Sequence, residues 1–362
     1  MFRYNDIKTI DIELTSRCQA RCPMCARNYH GGIKNPKITK SDIDLDFFKN
    51  IIPVGLLKQL ENITSCGNFG DPILNNELID ISRYIKNNSN ARFEIHTNGG
   101  VRDAQWWTEL AQAMPTNHLV HFGIDGLEDT NHLYRIGVNY NKVIENAKAF
   151  IDAGGIANWN FITFKHNQHQ LQEARRLAEE IGFAGFFEKQ TSRFIGDPWF
   201  DVLDKDGNVE YKLEGPDTQK ITFIEKSTVE NYGMVIDKAT ISCQAKAKLG
   251  VYIDSYGYLW PCPWVAVVPY VYTKPGELVD AFQQESYKTL MDFLPDRENF
   301  NLRKNTIEKI VETKFWQTEW DKSFVNNKLP ICARICGKWK EDIMSACKDE
   351  FLELTRFKNV QV

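Results

Sequence analysis

Between residues 8 and 193 strand-like and helix-like segments alternate six times, and few architectures accommodate that rhythm. Ile10, Ile12 and Leu14 alternate with polar residues, the two-residue period of a half-buried strand. Ser41 has the character of an N-cap for a helix through Phe47, Phe48 and Ile51, stopped by Pro53. Further strands are expected over 62–65, 92–96, 118–124, 159–164 and 183–188, with helices over 76–87, 103–114, 140–153 and 169–181 between them. Such units build a parallel sheet with right-handed crossovers, as an open sheet or a partial barrel, with the active site at the C-terminal strand ends. After Arg193 the rhythm breaks. Hairpins are expected at Asp206-Gly207 and Ser255-Tyr256-Gly257, and the tail over 339–357 reads as helix. The boundary between two units falls between 194 and 240.

The chain has 362 residues, enough for two domains. Its net charge of −4 argues against a nucleic-acid partner. No stretch approaches the ~18 apolar residues that span a bilayer, and the N-terminus lacks an apolar signal core, so the reading is cytoplasmic with no membrane partner. Nine cysteines are then better suited to metal or chemistry than to disulfides.

Three of them, Cys18, Cys22 and Cys25, follow the first strand. Three thiolates in so short a loop can hold a [4Fe–4S] cluster and leave one iron open for a substrate or cofactor. The competing reading is a zinc knuckle with His30 as a fourth ligand. This loop, placed after strand one of a repeated strand–helix domain, resembles the radical S-adenosylmethionine (SAM) superfamily. Met24 stands where that family usually has an aromatic residue, and a methionine can still pack on an adenine ring.

The resemblance extends along the chain. Gly70-Asp71-Pro72 resembles the family's Gly-Gly-Glu-Pro turn, which binds the SAM amino group. His96-Thr97-Asn98-Gly99 resembles the segment that approaches the ribose. Gly123-Ile124-Asp125-Gly126 resembles a Ser-Ile-Asp-Gly segment, with glycine replacing the serine. The resemblance implies cofactor contacts from Met24, Gly70, Asp71, Pro72, His96, Asn98 and Asp125. A cation, Arg193 or Lys165, is expected on the SAM carboxylate. Cys66 is expected to be a buried strand residue.

Cys243, Cys262, Cys332, Cys336 and Cys347 form a second group, similar to the SPASM or twitch extensions of radical SAM enzymes. A full extension has seven cysteines, so five imply one auxiliary [4Fe–4S] cluster. Cys243, Cys262 and Cys336 are the expected ligands, with Cys332 or Cys347 fourth, and Trp260 and Trp264 would wall the site. The whole resemblance implies an α/β fold: a partial (β/α)6 barrel over 1–193, a linker and hairpin over 194–240, and a smaller cluster-binding extension over 241–362. It implies cleavage of SAM to methionine and a 5′-deoxyadenosyl radical, with an electron donor such as flavodoxin or ferredoxin. That radical would take hydrogen from a peptide, protein or peptide-like substrate, giving C–H functionalisation or oxidation. The alternatives are a dehydrogenase of a non-peptide small molecule and a non-catalytic Fe–S electron carrier. The cysteine loop starts by residue 18, which leaves no room for a preceding leader-peptide-binding domain and weakens a ribosomal-peptide substrate.

Overall fold

Six strands follow the expected order: β1 (Thr9–Ile12), β2 (Asn62–Ser65), β3 (Arg92–Thr97), β4 (His118–Gly123), β5 (Ala157–Ile162) and β6 (Gly185–Lys189). Each pairs in parallel with the next. Between them run α1 (Leu45–Ile51), α2 (Leu78–Asn88), α3 (Ala104–Ala113), α4 (Tyr140–Asp152) and α5 (Leu171–Ile181). The computed structural model describes residues 2–191, 193–194, 197–217, 236, 239–272, 278–294, 296–325, 328–338 and 351–356. None of the helices among them is long and apolar enough to cross a membrane.

The two-residue period of a strand divides the sheet into two faces. In β3, Phe93, Ile95 and Thr97 are buried on one face, while Arg92, Glu94 and His96 lie on the other, which lines the lumen. Trp107, Phe122 and Phe150 meet where α3 and α4 cover β4, each fully buried. Burial of one such ring contributes about 2–3 kcal/mol.

The structure departs from expectation in three places. The first helix is capped by Asp44, whose carboxylate accepts from Phe47 N at 2.7 Å. Ser41 is unavailable for capping because its hydroxyl donates to the Ser255 carbonyl. The hairpin β7 (Trp199–Leu203) with β8 (Val209–Glu214) forms as expected. The second hairpin, β9 (Gly250–Ile253) with β10 (Leu259–Trp260), also forms, but it belongs to the barrel sheet rather than to a separate unit. Strand β9 pairs in parallel with β1, Thr9 opposite Gly250 and Ile12 opposite Ile253. The tail expected to be helical carries a strand, β11 (Phe351–Arg356), antiparallel to β6; residues 339–350 lie outside the described ones. The sheet order is thus β10-β9-β1-β2-β3-β4-β5-β6-β11, and among the described residues no ladder closes it. It is a partial barrel.

One buried carboxylate joins the ends of three strands. Glu13, just past β1, accepts from Phe69 N at 2.6 Å and Gly70 N at 3.0 Å after β2, and from Ser255 Oγ at 3.1 Å after β9. Burial pushes Glu13 up to about 7, and Asp254 beside it up to about 6. Between the unfolded values near 4 and these raised ones, the folded protein binds more protons than the unfolded chain. Stability therefore falls as pH rises across that window. A thermal-melt series from pH 5 to pH 8 should show this decline, and Glu13→Gln should flatten it; an unchanged slope in the variant would assign it elsewhere. Glu13→Ala, which orphans two buried N–H donors, should cost about 2–4 kcal/mol in denaturant titration.

Candidate active site

The three clustered cysteines occupy the loop after β1, at the C-terminal end of the sheet, and each sulfur meets a group from another strand end. Asn98 Nδ2 donates to Cys18 Sγ at 3.7 Å, and Arg135 Nη1 to Cys22 Sγ at 3.7 Å. Cys25 Sγ lies 4.0 Å from the Asn68 carbonyl oxygen. Burial pushes the Cys22 thiol up to about 11 even with Arg135 beside it. Cys18 is pushed higher by burial, then by the nearby Asp71, Cys22 and Cys25. Three sulfurs carried on one short loop, each facing a polar group, fit the ligand set of an iron–sulfur cluster. His30 is engaged elsewhere: Nδ1 lies 2.6 Å from the Asp201 carbonyl, and the ring stacks on Phe200. Among the described residues, no three ligand atoms of Cys18, Cys22, Cys25 and His30 lie within 4.8 Å of one another, so the compact ligand set of a zinc knuckle is not formed.

Asp71 and Asp125 are both fully enclosed and turned toward protein. Asp71 Oδ2 accepts from Asn98 N at 2.8 Å and from Asn98 Nδ2 at 2.5 Å, and Oδ1 from Ile73 N. It locks the β2 turn to the β3 turn and aims Asn98 at Cys18. Gly70 is required there, since a Cβ would overlap the Thr15 carbonyl. Pro72 is buried at the start of the following 3-10 turn. Asp125 accepts from Ile162 N and from Arg135 Nε, each at 2.6 Å. Each carboxylate fixes a donor that faces a loop sulfur, Asn98 on Cys18 and Arg135 on Cys22.

Arg135, which follows the Asp125 segment in sequence, is the cation that faces Cys22. Its signal is the glycine at 123, because a Cβ there would collide with the guanidinium. The position that loses a serine hydroxyl gains room for an arginine facing Cys22. Of the two expected carboxylate-binding cations, Arg193 reaches the loop and donates to the Met24 carbonyl at 2.6 Å. Lys165 instead sits in an exposed pair with Glu214 at 3.0 Å. Met24 is buried, with its sulfur 3.9 Å from Thr191 Oγ1. His96 lies in the lumen, stacked on His121. Cys66 is exposed rather than buried: Ile63 and Ser65 take the core face of β2, so Cys66 falls on the lumen face.

A second group of thiols gathers beside β9. Cys243, Cys262, Cys332 and Cys336 line one cavity, together with Asp11 and Trp264. Cys332 is raised by burial and then by the other three, so all four lie in one electrostatic neighbourhood. Cys243 and Cys262 stand at the N-caps of α6 (Gln244–Ala247) and α7 (Pro263–Val267), where Cys243 Sγ accepts from Lys246 N at 3.5 Å and burial pushes the Cys262 thiol up to about 12. Cys332 and Cys336 share a face of α9 (Pro330–Cys336) at the i, i+4 spacing, after α8 (Leu278–Phe293). Cys347 lies outside the described residues. Trp260 is buried and donates to Asp254. Asn68 links the two groups, since its Nδ2 donates to the carbonyl of Pro263, next to Cys262.

Residues 12–178, a little under half of the chain, match the family model described as Radical SAM superfamily. The chain is 27% identical over 187 residues to the tungsten-containing aldehyde ferredoxin oxidoreductase cofactor-modifying protein of Pyrococcus furiosus, covering 49% of this chain and spanning about half (49%) of that relative. It is also similar to the solved structure of native anSMEcpe with bound AdoMet and Cp18Cys peptide (TM-score 0.51, 14% identity, 91% of this chain and 88% of that one). A further likeness is to Streptococcus suis SuiB with its precursor peptide SuiA (TM-score 0.48, 13% identity, 78% and 64%).

Removing Arg135 leaves Asp125 buried and unpaired. Arg135→Ala should destabilise the chain by about 3–5 kcal/mol. Gly123→Ser, which crowds the same guanidinium, should reduce the iron retained after anaerobic reconstitution. Full iron retention in Gly123→Ser would show that Arg135 has space the geometry does not indicate.

Proposed function

We propose that the chain is a radical SAM enzyme that takes hydrogen from a peptide or peptide-like substrate, giving C–H functionalisation or oxidation. Cys18, Cys22 and Cys25 would hold a [4Fe–4S] cluster with an open iron, and Cys243, Cys262, Cys332 and Cys336 one auxiliary [4Fe–4S] cluster. With SAM bound, the first group supplies a 5′-deoxyadenosyl radical. The convergence of two separate thiol groups, three at the sheet end and four beside β9, carries this reading. Three ligands suit a site that must bind a cofactor; four satisfy every iron and suit electron transfer.

The protein's own residues have distinct tasks. Asn98 and Arg135 direct N–H donors at two of the loop sulfurs, which stabilises thiolate. Arg193 holds the Met24 backbone on the far side of the loop. The lumen of the partial barrel encloses the target carbon and excludes water. Asn68 joins the two groups by a short run of contacts, which suits passage of an electron from substrate toward the auxiliary site. The initial electron would come from a flavodoxin- or ferredoxin-type donor. A second reading, a non-peptide small-molecule substrate, is favoured by the name of the Pyrococcus furiosus relative, which describes a cofactor-modifying protein.

Anaerobic reconstitution should give about eight irons per chain, the content of two cubanes. The triple variant Cys18→Ala/Cys22→Ala/Cys25→Ala should retain about four and make no 5′-deoxyadenosine. Cys243→Ala/Cys262→Ala should still make it, without product. About twelve irons in the wild-type protein, or 5′-deoxyadenosine from the triple variant, would overturn the assignment.

A further inference from the structure

On the lumen face of the barrel, Glu94 and His96 of β3 and His121 of β4 bring one carboxylate and two imidazoles together. One ligand atom from each lies within 4.8 Å of the others. His96 and His121 are direct register partners on adjacent strands, so their side chains project to the same side. Their rings stack with centroids 4.3 Å apart. His121 Nε2 is 3.3 Å from Glu94 Oε2, about the separation of two ligand atoms sharing an ion at bond lengths near 2.1 Å.

A second observation points the same way. His121 is only 9% exposed, and its Nδ1 is buried with no hydrogen-bond partner. A Glu94–His121 hydrogen bond satisfies one ring nitrogen and leaves the other uncompensated, which is costly in a low-dielectric site. Nearby charge is mixed: Asp11 adds a carboxylate close to Glu94, and Lys189 adds a cation close to His96.

We propose that Glu94, His96 and His121 form a mononuclear site for a divalent transition metal in the barrel lumen, separate from both cysteine groups. Two imidazoles and one carboxylate suit zinc or iron(II) rather than magnesium or calcium, and leave coordination positions open. One ring must turn out of the stack to share the ion. The open positions face the lumen, where a carboxylate or carbonyl oxygen of the substrate can bind. The metal site itself does not depend on the substrate reading above.

The test uses protein with both cysteine groups loaded with iron and sulfide, dialysed anaerobically against Zn2+. About one zinc per chain should be retained above the cluster iron, with nitrogen and oxygen but no sulfur in its X-ray absorption signature. Glu94→Gln, His96→Gln and His121→Gln, tested separately, should each weaken zinc binding at least about tenfold. Iron content and melting temperature should hold in these variants. No retained zinc, sulfur ligation of the zinc, or equal retention in the wild type and a folded variant would overturn the proposal. Loss of radical activity with zinc still bound would instead count against the functional reading alone.

Discussion

A single carboxylate, Glu13, holds the C-terminal edge of the sheet together. It is fully buried and accepts from the β2 turn and the β9 turn at once. The Asn98 side of the first cysteine loop depends on the first of those turns. Gly70 can press against the Thr15 carbonyl because Glu13 holds its N–H from below. Asp71 follows directly and fixes Asn98. The β9 hairpin, held through Ser255, brings Cys262 to the neighbouring group. An acid in this position fits because two main-chain N–H groups with no strand partner need an acceptor, and a buried carboxyl oxygen supplies it at short range.

Two arrangements of the same form then face the loop. Asp71 grips Asn98, which points at Cys18; Asp125 grips Arg135, which points at Cys22. In each, a buried carboxylate fixes a donor, and the donor addresses a sulfur. The acid therefore sets the position of a charge-stabilising group without touching the reacting atoms. Asn98 comes from the turn after β3, and Arg135 from the C-terminal end of a short helix, Asn131–Tyr134, that follows β4.

The strand–helix order was legible because periods of two and 3.6 residues are local properties of the chain. The cysteine loop was legible because its spacing is short. What escaped was non-local. Strand β9 is four residues long and buried on both faces, so no alternation marks it, and its pairing with β1 spans most of the chain. Lys165 carried the right charge, but its acid partner, Glu214, arrives from a hairpin that local pattern does not place. Cys66 was misplaced although parity alone could have placed it, since Ile63 and Ser65 fix the other face of β2.

The four thiols beside β9 come from three stretches of chain widely separated in sequence. Whatever metal unit they hold would act as a cross-link, tying α9 to the barrel edge and closing a long loop between Cys262 and Cys332. The entropy of closing a flexible loop grows only slowly with its length, about 0.6 kcal/mol for each doubling. The segment between those anchors is not a free loop, since Phe300, Ile310, Val311 and Trp316 bury in the main core. Only its exposed turns can lengthen at that small cost, and they are where new surface can evolve without disturbing the sheet.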